Sequence, residues 1–128
     1  MITGGEPCIY DLVPLTEAFE KHGCRCQIET SGTSEVKATP DTWVTVSPKV
    51  AMKAKLEILD CALQRANEIK HPVGTSKDIE QLDGLLERAE VSDDTVIALQ
   101  PISQKDRATK LCIDTWNERN WPRPINTT

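Results

Sequence analysis

The residues best equipped for chemistry in this chain stand in short polar turns rather than in one motif. Thr3-Gly4-Gly5-Glu6-Pro7 comes first. Consecutive glycines permit backbone angles closed to other residues and let a ligand approach the main chain. Their N–H groups can face an anion without side chains intervening. Glu6 adds a negative charge and Pro7 fixes the exit of the turn. A plain strand-to-helix connection with no ligand would carry the same residues. Comparable turns recur at Thr30-Ser31-Gly32, Ser47-Pro48-Lys49, His71-Pro72 and Gln100-Pro101. Together they offer backbone donors, hydroxyls from Thr30 and Ser47, the Lys49 cation, the Gln100 amide and the Glu6 and Glu29 carboxylates. That set suits a zwitterionic or anionic ligand bearing hydroxyls, with Lys49 meeting a carboxylate and Glu6 an ammonium. Neither His22 nor His71 has a serine or cysteine nucleophile in a strained elbow beside it, so a hydrolytic triad is not supported.

The elements between these turns alternate. Met1–Thr3 reads as the end of a strand, and Tyr10–His22 as a helix with Leu12, Leu15 and Phe19 on its buried face and Gly23 as its stop. Cys26–Thr30 is a short strand, and Ser34–Thr42 a polar surface excursion. Trp43–Val46, β-branched and aromatic, is the clearest strand. A long helix follows, with Ala54, Ile58, Cys61, Ala62 and Arg65 spaced three and four apart and Leu56, Leu59, Leu63 and Ala66 widening its apolar surface. Glu68-Ile69-Lys70 is a short strand candidate. Ser76 is placed to cap a helix that buries Ile79, Leu82, Leu86 and Ala89. Val96–Leu99 has the length and apolarity of a buried parallel strand. Ser103 and Asp106 resemble a capping pair for a last helix carrying Ala108, Leu111, Cys112 and Trp116. Trp116 and Trp121 read as packing residues.

This order predicts an α/β fold: a mainly parallel sheet covered by helices, within one domain over residues 1–128. Right-handed crossovers place the C-terminal ends of parallel strands on a common rim. Every polar turn named above lies at such an end, which is where ligands sit in open sheets and barrels alike. The net charge of −5 argues against a nucleic-acid surface. No apolar run reaches the roughly 18 residues of a membrane span and no basic-then-apolar leader opens the chain, so a cytoplasmic protein is expected. Five cysteines, an odd number irregularly spaced, point to reduced thiols. Cys24-x-Cys26 is too tight for a zinc pair, and Cys61 and Cys112 fall at apolar helix positions.

Four of these stretches taken together carry a resemblance. Thr3-Gly4-Gly5-Glu6-Pro7, Ile28-Glu29-Thr30-Ser31-Gly32-Thr33, Val46-Ser47-Pro48-Lys49 and Leu99-Gln100-Pro101-Ile102-Ser103, with Asn67–Gly74 between them, resemble the 7-carboxy-7-deazaguanine synthases. These are radical S-adenosylmethionine lyases of the queuosine pathway of tRNA modification. The resemblance runs from residue 1 to about Trp121. It implies a partial (β/α) barrel, truncated here at its N-terminus, and a homodimer. It assigns Gly4, Gly5 and Glu6 to the methionyl end of S-adenosylmethionine, and Ser47, Pro48 and Lys49 to further cofactor contacts. Thr30, Ser31, Gln100 and Pro101 become rim contacts and Thr3 a substrate contact. The implied reaction converts 6-carboxy-5,6,7,8-tetrahydropterin to 7-carboxy-7-deazaguanine with a 4Fe-4S cluster and magnesium.

The chain departs from that pattern in two places. No CxxxCxxC cluster loop occurs in these 128 residues, and hard oxygen ligands do not replace thiolates at such a cluster. The family's closing Thr-His-Lys-Tyr segment is replaced by Arg123-Pro124-Ile125-Asn126-Thr127-Thr128. The expectation is therefore a C-terminal portion of a synthase, inactive by itself. The alternative is a non-catalytic fragment that binds S-adenosylmethionine or a nucleoside.

Overall fold

The structure, a computed structural model, describes residues 2, 6–48, 58–102 and 106–119. A 3-10 turn at Pro7–Ile9 leads into α1 (Val13–Lys21), then β1 (Gln27–Thr30), β2 (Trp43–Val46), α2 (Asp60–Arg65), β3 (Glu68–Val73), α3 (Ser76–Arg88), β4 (Val96–Pro101) and α4 (Asp106–Arg119). The strands form one parallel sheet in the order β1-β2-β3-β4. Ile2 adds a parallel bridge to Ile28 on the outer side of β1. Parallel strands in sequence order with intervening helices are the βαβ arrangement expected from the sequence.

Strand alternation divides the sheet into two unlike faces. Ile28, Val44, Val46, Ile69, His71, Val73 and Ile97 are buried on one side. There Val44, Val46, Ile69 and Ile97 join Ile58, Leu63, Ala66, Leu82, Leu85 and Ala89 in the main core. Glu29, Thr45, Glu68 and Lys70, at the alternate positions, face the other way, because neighbouring residues of a strand point to opposite sides. An apolar face under helices and a polar face opposite it is the section of a partial (β/α) barrel, with the polar face lining its interior.

The rim is stepped. Pairing of β2 with β3 stops at Val46↔Ile69, whereas β3 and β4 stay paired to Val73↔Pro101. Pro72 lies in this overshoot, beyond the last β2 partner, and so costs the sheet no ladder bond on that side. The same overshoot makes β3 six residues long, where Glu68-Ile69-Lys70 was all that the sequence suggested.

Several expectations change in detail. Leu15 and Phe19 are each 43% exposed, and the buried positions at α1 are Leu12 and Thr16. The helix begins at Val13 rather than Tyr10, so Leu12 is its cap residue and Thr16 is the residue it buries. Cys61 is exposed, not core. The cap of α3 is Thr75, one residue before Ser76. The 34–42 excursion is tied down instead of solvated: Arg65 donates to the carbonyls of Thr39 and Thr42, both at 3.0 Å, and Leu12 N–H donates to the Lys37 carbonyl at 2.8 Å. Thr39 also donates to the Glu20 carboxylate. Residues 49–57 with Ala54 and Leu56, and Ser103 and Trp121, lie outside the described residues.

Gly32 is the one turn residue whose side chain must be absent. Its φ is +80°, and a Cβ would stand 2.9 Å from Val46 Cγ1 and 3.3 Å from Ile58 Cγ2. Left-handed geometry and the clash add. Gly32→Ala is expected to cost about 1–3 kcal/mol of folding stability, read as a lower urea midpoint. An unchanged midpoint would show that the turn is not built this way.

Candidate functional site

Glu6 is where turns distant in sequence meet. Ile2 N–H donates to the Gln27 carbonyl at 2.7 Å and the Ile2 carbonyl accepts from Glu29 N–H at 3.3 Å. The opening segment thus runs beside β1 and delivers Glu6 to its C-terminal end. There Oε2 accepts from Thr30 Oγ1 at 2.5 Å and Cys8 N–H at 2.9 Å, and Oε1 accepts from Ser31 N–H at 2.9 Å and Ser31 Oγ at 2.8 Å. A carboxylate has about four acceptor positions, and these donors fill them. Burial pushes the carboxyl upward in pKa, but the bonds from Thr30, Ser31 and Cys8 outweigh it and hold Glu6 below its ordinary value. Burial also pushes the neighbouring Cys8 thiol up; Thr30 opposes this and the Glu6 charge adds to it. Glu6 is therefore a tie between turns, and meeting a ligand ammonium would cost it a protein donor.

The tie extends along the rim. Thr30 Oγ1 accepts from Gly32 N–H at 3.2 Å, and the Thr30 carbonyl accepts from Ser47 N–H at 2.8 Å. Glu6, Thr30, Ser31 and Ser47 accordingly form one connected group, with Pro48 buried beside it. Gln100 and Pro101 are not part of it. Ile97 is level with Val46 through Ile69, so Gln100 stands three residues, about 10 Å, farther along and two strands away. Thr3, Gly4, Gly5 and Lys49 lie outside the described residues.

Beside this group the inner face carries Glu29, already counted among the rim carboxylates, and two residues that the turns did not reveal, Thr45 and Glu68. Glu29, Thr45 and Glu68 stand level on three adjacent strands. Thr45 Oγ1 donates to Glu68 Oε1 at 3.0 Å. With Gln27, Ile28 and Lys70 they line a cavity of about 120 Å³. The available signal was the strict alternation in Gln27-Ile28-Glu29 and Glu68-Ile69-Lys70-His71, polar against apolar. His71, by contrast, is on the helix side and fully buried. Its Nε2–H donates to the Asp78 carbonyl at 3.0 Å, and Nδ1 has no partner among the described residues. Burial pushes the His71 pKa down, only partly offset by the Asp78 carbonyl and the Asp78 charge. His71 is a neutral core residue, not a rim ligand.

The cysteines do not fit an iron–sulfur cluster. Among the described residues no three His, Cys, Asp or Glu side chains come together as a metal site. Cys8, Cys26 and Cys112 are buried with thiols pushed up by that burial, which disfavours the thiolate. No described helix is long and apolar enough to cross a membrane.

A half-barrel with helices outside, a polar interior and cross-tied turns at its strand ends defines a partial (β/α)-barrel fold. No family model matches the chain. Among curated proteins it is similar to 7-carboxy-7-deazaguanine synthase of Escherichia coli K12, 64% identical over 129 residues, which covers 99% of this chain and 57% of that protein. The Buchnera aphidicola synthase is 43% identical over 121 residues, 94% of this chain and 53% of its own. The crystal structure of QueE from Escherichia coli superposes with a TM-score of 0.87 at 64% identity, covering 99% of this chain and 56% of that one. The resemblance read from the turns therefore holds along nearly the whole sequence. The chain spans a little over half the length of these relatives.

Two pH windows follow from the shifted groups. The Glu6 carboxyl is held down in the folded state, so its stabilisation is present above about pH 4.5 and is lost as pH falls below that value. Glu6→Gln is expected to cost about 1–3 kcal/mol at neutral pH and to flatten the stability profile in that acid window. His71 resists a proton that the unfolded chain accepts near pH 6.5, so stability declines as pH falls through 6.5. His71→Gln removes that earlier decline. Urea titrations from pH 7.5 to 3.5 separate the two, and overlapping profiles for all three proteins would refute both assignments.

Proposed function

We propose that this chain is the ligand-holding part of a 7-carboxy-7-deazaguanine synthase, binding S-adenosylmethionine and 6-carboxy-5,6,7,8-tetrahydropterin over the interior face of its half-barrel. The observation that carries the proposal is the junction made by Glu6, which fixes the turns after β1 and β2 directly above a polar interior face. Identity of 64% to named synthases supports it. Ordered turns matter because binding energy is not then spent on arranging them.

In this reading Gly4 and Gly5 take the methionyl end of S-adenosylmethionine through backbone groups, and Lys49 pairs with its carboxylate as a point charge. Ser47 and Pro48 shape the adjoining wall, Thr30 and Ser31 hold Glu6 in place, and Gln100 and Pro101 border the far end. Thr3 contacts the pterin. The residues present do not form a cluster site, and magnesium has no assigned ligands among them. The role of these 128 residues is to bind and orient the two ligands. Conversion of the pterin to 7-carboxy-7-deazaguanine, the homodimer and the cytoplasmic setting belong to the whole synthase. A second reading, a non-catalytic binder of S-adenosylmethionine or a nucleoside, is favoured by the same lack of grouped thiolates and differs in having no affinity for the pterin.

Anaerobic calorimetry with the intact chain separates these readings. The expected result is saturable binding of both ligands, with S-adenosylmethionine affinity lowered at least tenfold, about 1.4 kcal/mol, in Gly5→Val and Lys49→Ala. Equal affinity in all three proteins removes the proposed pocket. Cofactor binding without pterin binding leaves the second reading.

A further inference from the structure

We propose that Lys70 and Glu68, on the interior face of β3, distinguish the two ends of the pterin. Lys70 takes its carboxylate, and Glu68 takes the N–H edge of its aminopyrimidinone ring. The assignment rests on the reading above that a carboxylated pterin occupies this face.

Strand geometry sets the directions. Glu68 and Lys70 alternate with buried Ile69, His71 and Val73, so they project from the helix-free side. They are two residues apart, about 6.6 Å along the strand, with Lys70 nearer the rim. Glu68 is level with Thr45, which is only 8% exposed and donates to Oε1 at 3.0 Å. That bond orients the carboxylate and leaves Oε2 without a protein partner among the described residues. Lys70 likewise forms no ion pair among them; the two salt bridges present join Arg88 to Asp60 and Arg119 to Asp83. An uncommitted cation and an oriented anion therefore sit on one strand, spaced on the scale of a bicyclic ring.

The opposite charges of Glu68 and Lys70, and their order along β3, decide which part of the ligand goes where. At about 120 Å³ the cavity is smaller than the roughly 300 Å³ at the low end of whole-ligand pockets, so it admits one edge of a flat ring. Glu68 and Lys70 both line that cavity, with Glu29 across from them on β1, and an ionised carboxylate only accepts hydrogen bonds. A 2-amino-4-oxopteridine presents an amine N–H and a ring N–H side by side, a match for the two oxygens of one carboxylate. With that edge seated, the opposite end of the ring points toward the rim, where Lys70 supplies a flexible point charge for a carboxylate.

The test uses the intact chain with three probes under anaerobic conditions: 6-carboxy-5,6,7,8-tetrahydropterin, tetrahydropterin without the carboxylate, and S-adenosylmethionine. Lys70→Met should weaken the carboxylated pterin at least tenfold and the plain pterin less than twofold. Glu68→Gln should weaken both pterins at least tenfold. Neither should alter S-adenosylmethionine binding more than twofold, a control for folding, and Lys70→Gln should reproduce Lys70→Met. Equal effects of Lys70→Met on the two pterins, or no effect of Glu68→Gln, overturns the assignment while leaving the wild-type pocket intact. A wild-type chain that binds neither pterin overturns the underlying reading and this assignment with it.

Discussion

One carboxylate ties together the turns at the strand-end rim of this molecule. Glu6 arrives from the segment beside β1 and takes four hydrogen bonds at the head of that strand, three of them from Thr30 and Ser31. Charge-assisted bonds of this kind are stronger than neutral ones. They hold a turn that otherwise has little apolar burial to fix it. Thr30 passes the constraint to Ser47 through its carbonyl and to Gly32 through its hydroxyl. Gly32 in turn accepts from Leu59 N–H at 2.8 Å, which connects the rim to the segment before α2. A polar chain of contacts thus runs across the rim, while the core below is held by apolar burial.

The two faces of the sheet divide the work. The helix side excludes water with aliphatic side chains and even accommodates a neutral histidine. The interior side keeps Glu29, Glu68 and Lys70 in partial contact with solvent, and so retains charges that full burial would penalise. This separation lets one sheet be both a stable core and a polar binding surface. It also explains why three of the five cysteines are poor metal ligands: Cys8, Cys26 and Cys112 are buried, where thiolates are disfavoured.

Much of this was legible in the residues. Trp43–Val46 and Val96–Leu99 are strands by composition alone, and Ser47 follows directly on the end of β2, but His71-Pro72 and Gln100-Pro101, expected as turns, pair with each other inside β3 and β4. The resemblance to the synthases rested on those turns. What escaped was decided by tertiary contacts. Leu15 and Phe19 fit a helical stripe, but α1 packs on its Thr16 face instead, where the Thr16 hydroxyl donates to the Leu12 carbonyl and accepts from Thr39 N–H, which leaves Leu15 and Phe19 exposed. The 34–42 segment is polar in composition, yet Arg65 from the far side of β2 pins its carbonyls. Glu68-Ile69-Lys70 read only as a short strand candidate, because only knowing which face the helices cover gives the alternation of Glu68 and Lys70 a meaning. The Glu6 tie had no local signal, since its partners lie 24 and 25 residues away.

The proline in β3 has a further effect. Val73 directs its carbonyl to Ile102 N–H on the β4 side, so by strand parity the backbone of Pro72 faces the flank left open beyond the end of β2. A nitrogen without hydrogen there offers an incoming strand no donor at the place where the sheet would otherwise be open to extension. The step that widens the mouth of the half-barrel thus carries its own guard against edge-to-edge self-association.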